Sequence, residues 1–116
     1  MRIIAGLAKG RTIDAVASST RPTSDRAREA LFSTLASEFG DFEGLHILDL
    51  YAGTAAIALE ALSRGAALVH AVEKDDAAAK AITSNYENLK SAQCPGTFHL
   101  YAMSVHRFLQ DKAAQP

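Results

Sequence analysis

A single cysteine, Cys94, rules out an internal disulfide and fits a reducing cytosol, so a cytoplasmic protein is expected. Pro95 follows it, and the pair reads as an inert loop thiol. No run of about 18 apolar residues occurs, which excludes a membrane-spanning helix. Met1 to Gly6 shows neither the apolar core nor the cleavage site of a secretory leader. His46, His70, His99 and His106 lack the spacing of a metal-ligand set, so no metal is expected. Internal repeats are missing as well. What remains is 116 residues, 48% hydrophobic and 22% charged, the composition of one ordinary globular domain or part of one.

Net charge is only −1, yet the charges are unevenly placed. Residues 1–28 hold Arg2, Lys9, Arg11, Arg21, Arg26 and Arg28 against Asp14 and Asp25, a balance of +4, while the rest of the chain stands at −5. A basic leading segment on an acidic body suits a nucleic-acid-contacting arm joined to a cofactor-binding domain. A solvated surface explains the same charges. Arg2, Lys9 and Arg11 are the phosphate-contact candidates on that arm, acting without regard to base sequence.

The chain's patterning predicts an α/β fold. Residues 2–5 and 11–16, separated by glycines, suit a β-hairpin, and the region to residue 20 reads as a leading hairpin and linker ahead of a second region, 21–116. Pro22 bars helix before it, Thr23 or Ser24 can cap, and Asp25 complements the helix dipole. Ala27, Ala30, Leu31, Leu35 and Phe39 fall at helical spacing and predict the inward face, with Gly40 ending the helix. A strand over about 46–51, apolar without alternation, is expected to be buried on both faces. Helix over 55–64, strand over 67–73, helix over 76–90, strand over 98–102 and a last amphipathic piece around Val105, Phe108 and Leu109 follow. That order implies right-handed crossovers and a parallel sheet. Three such strands leave an edge unpaired, so the chain reads as a piece of a larger fold.

The most informative stretch is Ile47-Leu48-Asp49-Leu50-Tyr51-Ala52-Gly53-Thr54-Ala55, a strand that ends near an acid, turns through glycine and opens into a helix. Open α/β folds place their ligand crevice at that edge. Twenty residues past Gly53 stands Glu73, at the end of the second strand, where a carboxylate holds the hydroxyls of a bound ribose. The two segments read as a nucleoside-cofactor site. A dinucleotide fingerprint needs glycine at three places, and this chain has Gly53, Ala55 and Ala58, so a nicotinamide cofactor ranks last.

Taken together, the motifs resemble one family. Arg2-Ile3-Ile4-Ala5-Gly6, Thr20-Arg21-Pro22-Thr23-Ser24-Asp25-Arg26 through Phe32, Asp49 through Thr54, Leu59 through Ala66 and Val72-Glu73-Lys74-Asp75 are similar to the bacterial 16S rRNA guanine-N2 methyltransferases of the RsmD family. The resemblance implies a Rossmann-like class I methyltransferase, a three-layer α/β/α fold using S-adenosylmethionine on 16S rRNA or the small ribosomal subunit. It places Asp49 near the methionine end of the donor, Gly53, Thr54 and Ala55 on its backbone contacts, Glu73 on the ribose, and Lys74 and Ser104 by the adenine. It also assigns Arg21, Thr23 and Arg26 to cofactor or RNA phosphate. The family carries glycine where this chain has Ala55, and an alanine forced to positive φ costs about 1–2 kcal/mol. The family's catalytic motif, Asn/Asp-Pro-Pro-aromatic after a fourth strand, has no counterpart among Pro22, Pro95 and Pro116. The chain is therefore expected to be a truncated, catalytically incomplete amino-terminal part, with a non-catalytic RNA- or cofactor-binding fragment as the alternative.

Overall fold

A computed structural model describes residues 1–14 and 24–113. Helix α1 (Asp25–Phe39) starts where Ser24 accepts a hydrogen bond from the Ala27 amide (3.1 Å), and it stops at Gly40, whose φ of 76° lets its amide reach back to Ala36. Strand β1 (His46–Leu50), helix α2 (Ala56–Ser63), strand β2 (Leu68–Val72), helix α3 (Asp76–Leu89), strand β3 (Thr97–Tyr101) and helix α4 (Val105–Ala113) follow in alternation. A short 3₁₀ turn, Lys90–Ala92, extends α3.

The three strands are parallel in the order β1-β2-β3, with Leu48, His70 and His99 in one register row and Leu50, Val72 and Tyr101 in another. Strand alternation then sorts the sheet into two faces. Ile47, Asp49, Val69, Ala71, Phe98 and Leu100 share the face covered by α2 and α3, where Tyr86 stacks on Phe98 at 4.7 Å. Val69 and Ala71 are wholly buried there, beneath Leu59, Leu62 and Ile82. The other face carries Leu48, His70, His99 and Tyr101, and α4 reaches it through Phe108, whose ring meets Tyr101 at 4.9 Å.

This arrangement corrects two expectations. Strand β1 is not buried on both faces: Leu48, on the face opposite α2, is 49% exposed, and among the described residues the strand's one sheet partner is β2. A central strand and an uncovered edge strand of a parallel sheet share the same apolar composition, so the residues do not tell them apart. Helix α1 also turns a different side inward. Arg28 and Phe32 are buried and Leu35 packs against the core, whereas Ala27, Ala30, Leu31 and Phe39 are exposed. The inward stripe has the i, i+4, i+7 spacing of any packed helix, but its first member is an arginine.

Among the described residues the leading hairpin is a narrow ribbon with one bridge, Arg2 to Thr12, and backbone bonds between Ile3 and Arg11 and between Ile13 and Met1; residues 15 and 16 of the expected second arm, and the linker to residue 20, lie outside them. Its hold on the body comes from buried polar side chains. Glu60 of α2 accepts from the amides of Ile4 (2.8 Å) and Ala5 (3.0 Å). Ser63 accepts from the Ala8 amide (2.9 Å) and donates to the Ala5 carbonyl (2.7 Å). Gly6 passes so close to α2 that a Cβ on it would lie 2.0 Å from the Ser63 carbonyl oxygen, so only glycine fits. Arg28 donates to the Arg2 carbonyl and to Asp25, and faces Glu60 at 3.6 Å.

Candidate functional site

The site begins at the end of β1. Tyr51 takes a left-handed backbone conformation (φ 60°), which ends the strand one residue sooner than expected and swings its ring into solvent, 75% exposed. Gly53 (φ 61°) and Ala55 (φ 62°) are left-handed too. Helix α2 therefore opens on an N-cap residue, Ala55, whose methyl group can accept no hydrogen bond. The Asp49 carboxylate, arriving from β1, takes the Ala58 amide in its place.

Burial pushes the Asp49 carboxyl up from 3.8 to about 6; the Ala58 amide pulls it back and the nearby Glu73 charge adds to the rise. Glu73 itself, at the end of β2, joins the two halves of the site. One carboxylate oxygen accepts from the Gly53 amide at 2.8 Å and the other from the Asp75 amide at 2.9 Å. Each carboxylate oxygen has a second lone pair for a ligand hydroxyl. The bend at Gly53 and the acid at 73 thus converge on one spot at the carboxyl edge of the sheet. Beside them lies a cleft of about 260 Å³ lined by Tyr51, Val72, Glu73, Lys74 and Val105.

Asp49, Gly53, Thr54, Ala55, Glu73 and Lys74 are accordingly brought together around the β1 and β2 ends. Ser104 stands next to the cleft residue Val105 and accepts from the Arg107 amide (3.1 Å), so its hydroxyl caps α4. Of the basic residues singled out, Arg2, Lys9 and Arg26 are exposed. Arg11 donates to the Asn88 carbonyl (3.1 Å) and the Ser91 hydroxyl (2.6 Å), which fastens the ribbon to the end of α3. Arg21 and Thr23 lie outside the described residues. The sequence reading missed Tyr51 and Val105 as cleft residues and Asn85, a helix residue of ordinary context that is fully buried. Only the exposed aromatic beside the glycine turn carried a signal for the first of these.

The left-handed Ala55 supports a test. Removing a buried methyl and adding glycine freedom inside a helix costs about 1.5–2 kcal/mol together, which is the loss expected for Ala58→Gly, at a site equally buried. At Ala55 the relief of about 1–2 kcal/mol of backbone strain offsets that cost. Ala55→Gly is expected to stay within about 0.5 kcal/mol of the parent in urea unfolding, and equal losses for the two variants would contradict the strain.

Solved structures share this architecture. The hypothetical protein TTHA0928 of Thermus thermophilus superposes with a TM-score of 0.81 at 34% identity, over 99% of this chain and 62% of that one. The Escherichia coli protein yhhF gives 0.78 at 35% identity, over 94% of this chain and 55% of its own. Fold and comparisons together define a fragment of a Rossmann-like methyltransferase fold, with a crevice at the carboxyl edge of β1 and β2. Ribosomal RNA small subunit methyltransferase D of E. coli K12 is 41% identical over 92 residues, covering 78% of this chain and 45% of the relative. Its Haemophilus influenzae counterpart is 40% identical over 91 residues, covering 78% and 46%. A family model described as conserved hypothetical protein 95 matches residues 1–116, and the chain belongs to that family, the RsmD family. The chain spans about half the length of these curated relatives.

Proposed function

We propose that this chain is the donor-binding part of a cytoplasmic methyltransferase that uses S-adenosylmethionine to methylate N2 of a guanine in 16S rRNA of the small ribosomal subunit. The observation that carries this reading is the Glu73 carboxylate bonded to the Gly53 amide across the ends of β1 and β2. Held by two amides, that carboxylate is preoriented to accept from both hydroxyls of a ribose. Asp49 offers a negative charge to the ammonium group of the methionine moiety. The backbone of Gly53, Thr54 and Ala55 borders that moiety, and Lys74, Ser104 and Val105 border the adenine side. Glu73 lines the cleft and the buried Asp49 carboxylate lies close enough to feel its charge, a pairing that suits a ligand bringing both hydroxyl donors and positive charge, as an aminoacyl-type sulfonium does. When bound, S-adenosylmethionine supplies an electrophilic methyl group.

What this chain does toward transfer is bind and orient the donor and present cations to RNA. Arg2, Lys9 and Arg26 are exposed for phosphate contact, and the same role is proposed for Arg11 and Arg21. The absence of a Pro-Pro pair favours a polypeptide that binds without completing the reaction. The experiment is calorimetry of residues 1–116 with S-adenosylmethionine, beside transfer of a labelled methyl group to small subunits. Donor binding without transfer is expected. RNA affinity should fall with a log–log salt slope of about −2 to −3, the value for three phosphates neutralised. Absence of donor binding together with salt-sensitive RNA binding would leave only the RNA-binding part of the proposal standing.

A further inference from the structure

Asn85 sits in the middle of α3 with no solvent exposure, and its side chain spans two segments that carry different parts of the site. Its carbonyl oxygen accepts from the Asp14 amide at 2.9 Å, and its amide group donates to the Asp14 carbonyl at 3.1 Å and to the Thr54 carbonyl at 3.4 Å. Asp14 belongs to the leading ribbon, whose backbone bonds run from Ile13 to Met1 and from Ile3 to Arg11. Thr54 lies between the two left-handed residues of the glycine turn, Gly53 and Ala55, and the Gly53 amide is the one held by Glu73. One side chain therefore touches both the ribbon that bears Arg2 and Lys9 and the turn that borders Asp49 and Glu73.

We propose that Asn85 is a positioning residue that joins the cationic ribbon to the donor-binding turn, so that occupation of either is felt by the other. The inference rests on the reading of that turn as a donor site. Anchoring the ribbon alone needs only the two bonds to Asp14; the bond to Thr54 is the additional link. The link requires a group that donates and accepts at once on a short stem, which an asparagine amide supplies. Aspartate keeps the acceptor for the Asp14 amide but turns an oxygen toward two carbonyls. Alanine leaves the Asp14 amide and both carbonyls without this partner. Coupling between sites is reciprocal, so a donor that tightens phosphate binding at the ribbon is itself bound more tightly, by the same factor, when the ribbon is occupied.

Hydrogen exchange read residue by residue tests this in the unaltered protein and in Asn85→Asp and Asn85→Ala. Saturating S-adenosylhomocysteine is expected to slow exchange of the Gly53 amide and, about tenfold, that of Asp14. In both variants the protection at Asp14 is lost while that at Gly53 persists, and amides in the centre of β2 keep parental rates. Protection of Gly53 without protection of Asp14 in the unaltered protein overturns the coupling, as does full Asp14 protection in the variants. If calorimetry detects no ligand binding, the donor reading fails separately. The ligand-free comparison still decides the link: Asn85→Ala speeds exchange at both Asp14 and Ala55 if the link exists, and at Asp14 alone if it does not.

Discussion

Glu60→Ala is expected to cost about 3–5 kcal/mol of folding stability, the range for breaking a buried ion pair by deleting one partner. Glu60 and Arg28 both have side chains with no solvent exposure, and Arg64 adds a second cation at 2.9 Å from the Glu60 carboxylate. The Arg64 guanidinium also lies over the Phe32 ring at 4.7 Å, so the acid fixes a contact between α1 and α2 as well as the ribbon amides of Ile4 and Ala5. Among the described residues, deleting the acid leaves Arg28 buried with Asp25, an exposed residue, as its remaining counter-charge, and its Nε already has no hydrogen-bond partner there. At roughly 4 °C per kcal/mol, the melting temperature should drop by about 12–20 °C. The double variant Arg28→Met, Glu60→Leu should lose far less than the two single losses added, since removing both charges removes the unpaired one. A Glu60→Ala variant within about 1 kcal/mol of the parent would contradict this account of how the ribbon and α1 are held.

That network also marks where the sequence stops being legible. Capping at Ser24, the stop at Gly40 and the β-α alternation follow from local chemistry, and each appears where the pattern places it. On α3, Ala79, Ile82, Tyr86 and Leu89 recur at helical spacing and face inward, Tyr86 half-buried and the others buried. Arg28 fails the same reading because apolar periodicity cannot represent a cation that is buried by pairing with an acid on another helix. Strand β1 fails it because sheet position is a property of the partner strands, not of the strand. The ribbon is legible as two short arms with glycines between them, but its docking on Glu60, Ser63 and Asn85 is tertiary and leaves no periodic trace.

The site divides along the same line. Acid and glycine spacing placed Glu73 against Gly53, because the two strand ends in a parallel sheet are forced side by side by register: Leu50 pairs with Val72. The left-handed conformation of Ala55 was legible only through the family resemblance, which implies a glycine at that position. Not legible was the compensation, in which Asp49 from the strand stands in for a capping side chain that alanine does not have. Arg11 shows the converse case. Charge alone makes it a phosphate candidate, while its hydrogen bonds to Asn88 and Ser91 give it work inside the fold.

Asp49→Asn is expected to stabilise the protein at pH 8 while weakening donor binding. Burial raises the carboxyl from 3.8 to about 6, so the folded state favours the neutral acid. The contribution this makes to stability is fully present below about pH 4 and is lost as pH rises through 6; above that, holding the anion in the fold costs up to about 3 kcal/mol. Asparagine keeps an oxygen for the Ala58 amide and has no charge to desolvate or to repel Glu73. Thermal unfolding should therefore place Asp49→Asn about 1–3 kcal/mol above the parent at pH 8 and level with it at pH 4. On the proposed function, the ammonium group of the donor offsets that cost, because its charge makes the buried anion favourable. In calorimetry the parent's affinity for S-adenosylmethionine should fall between pH 7 and pH 5, whereas the variant's should be flat and about 10–100-fold weaker at pH 7.5, the loss of one charge-assisted hydrogen bond. A variant that gains stability yet binds the donor as tightly as the parent would remove Asp49 from the site and leave Glu73 as its one acid.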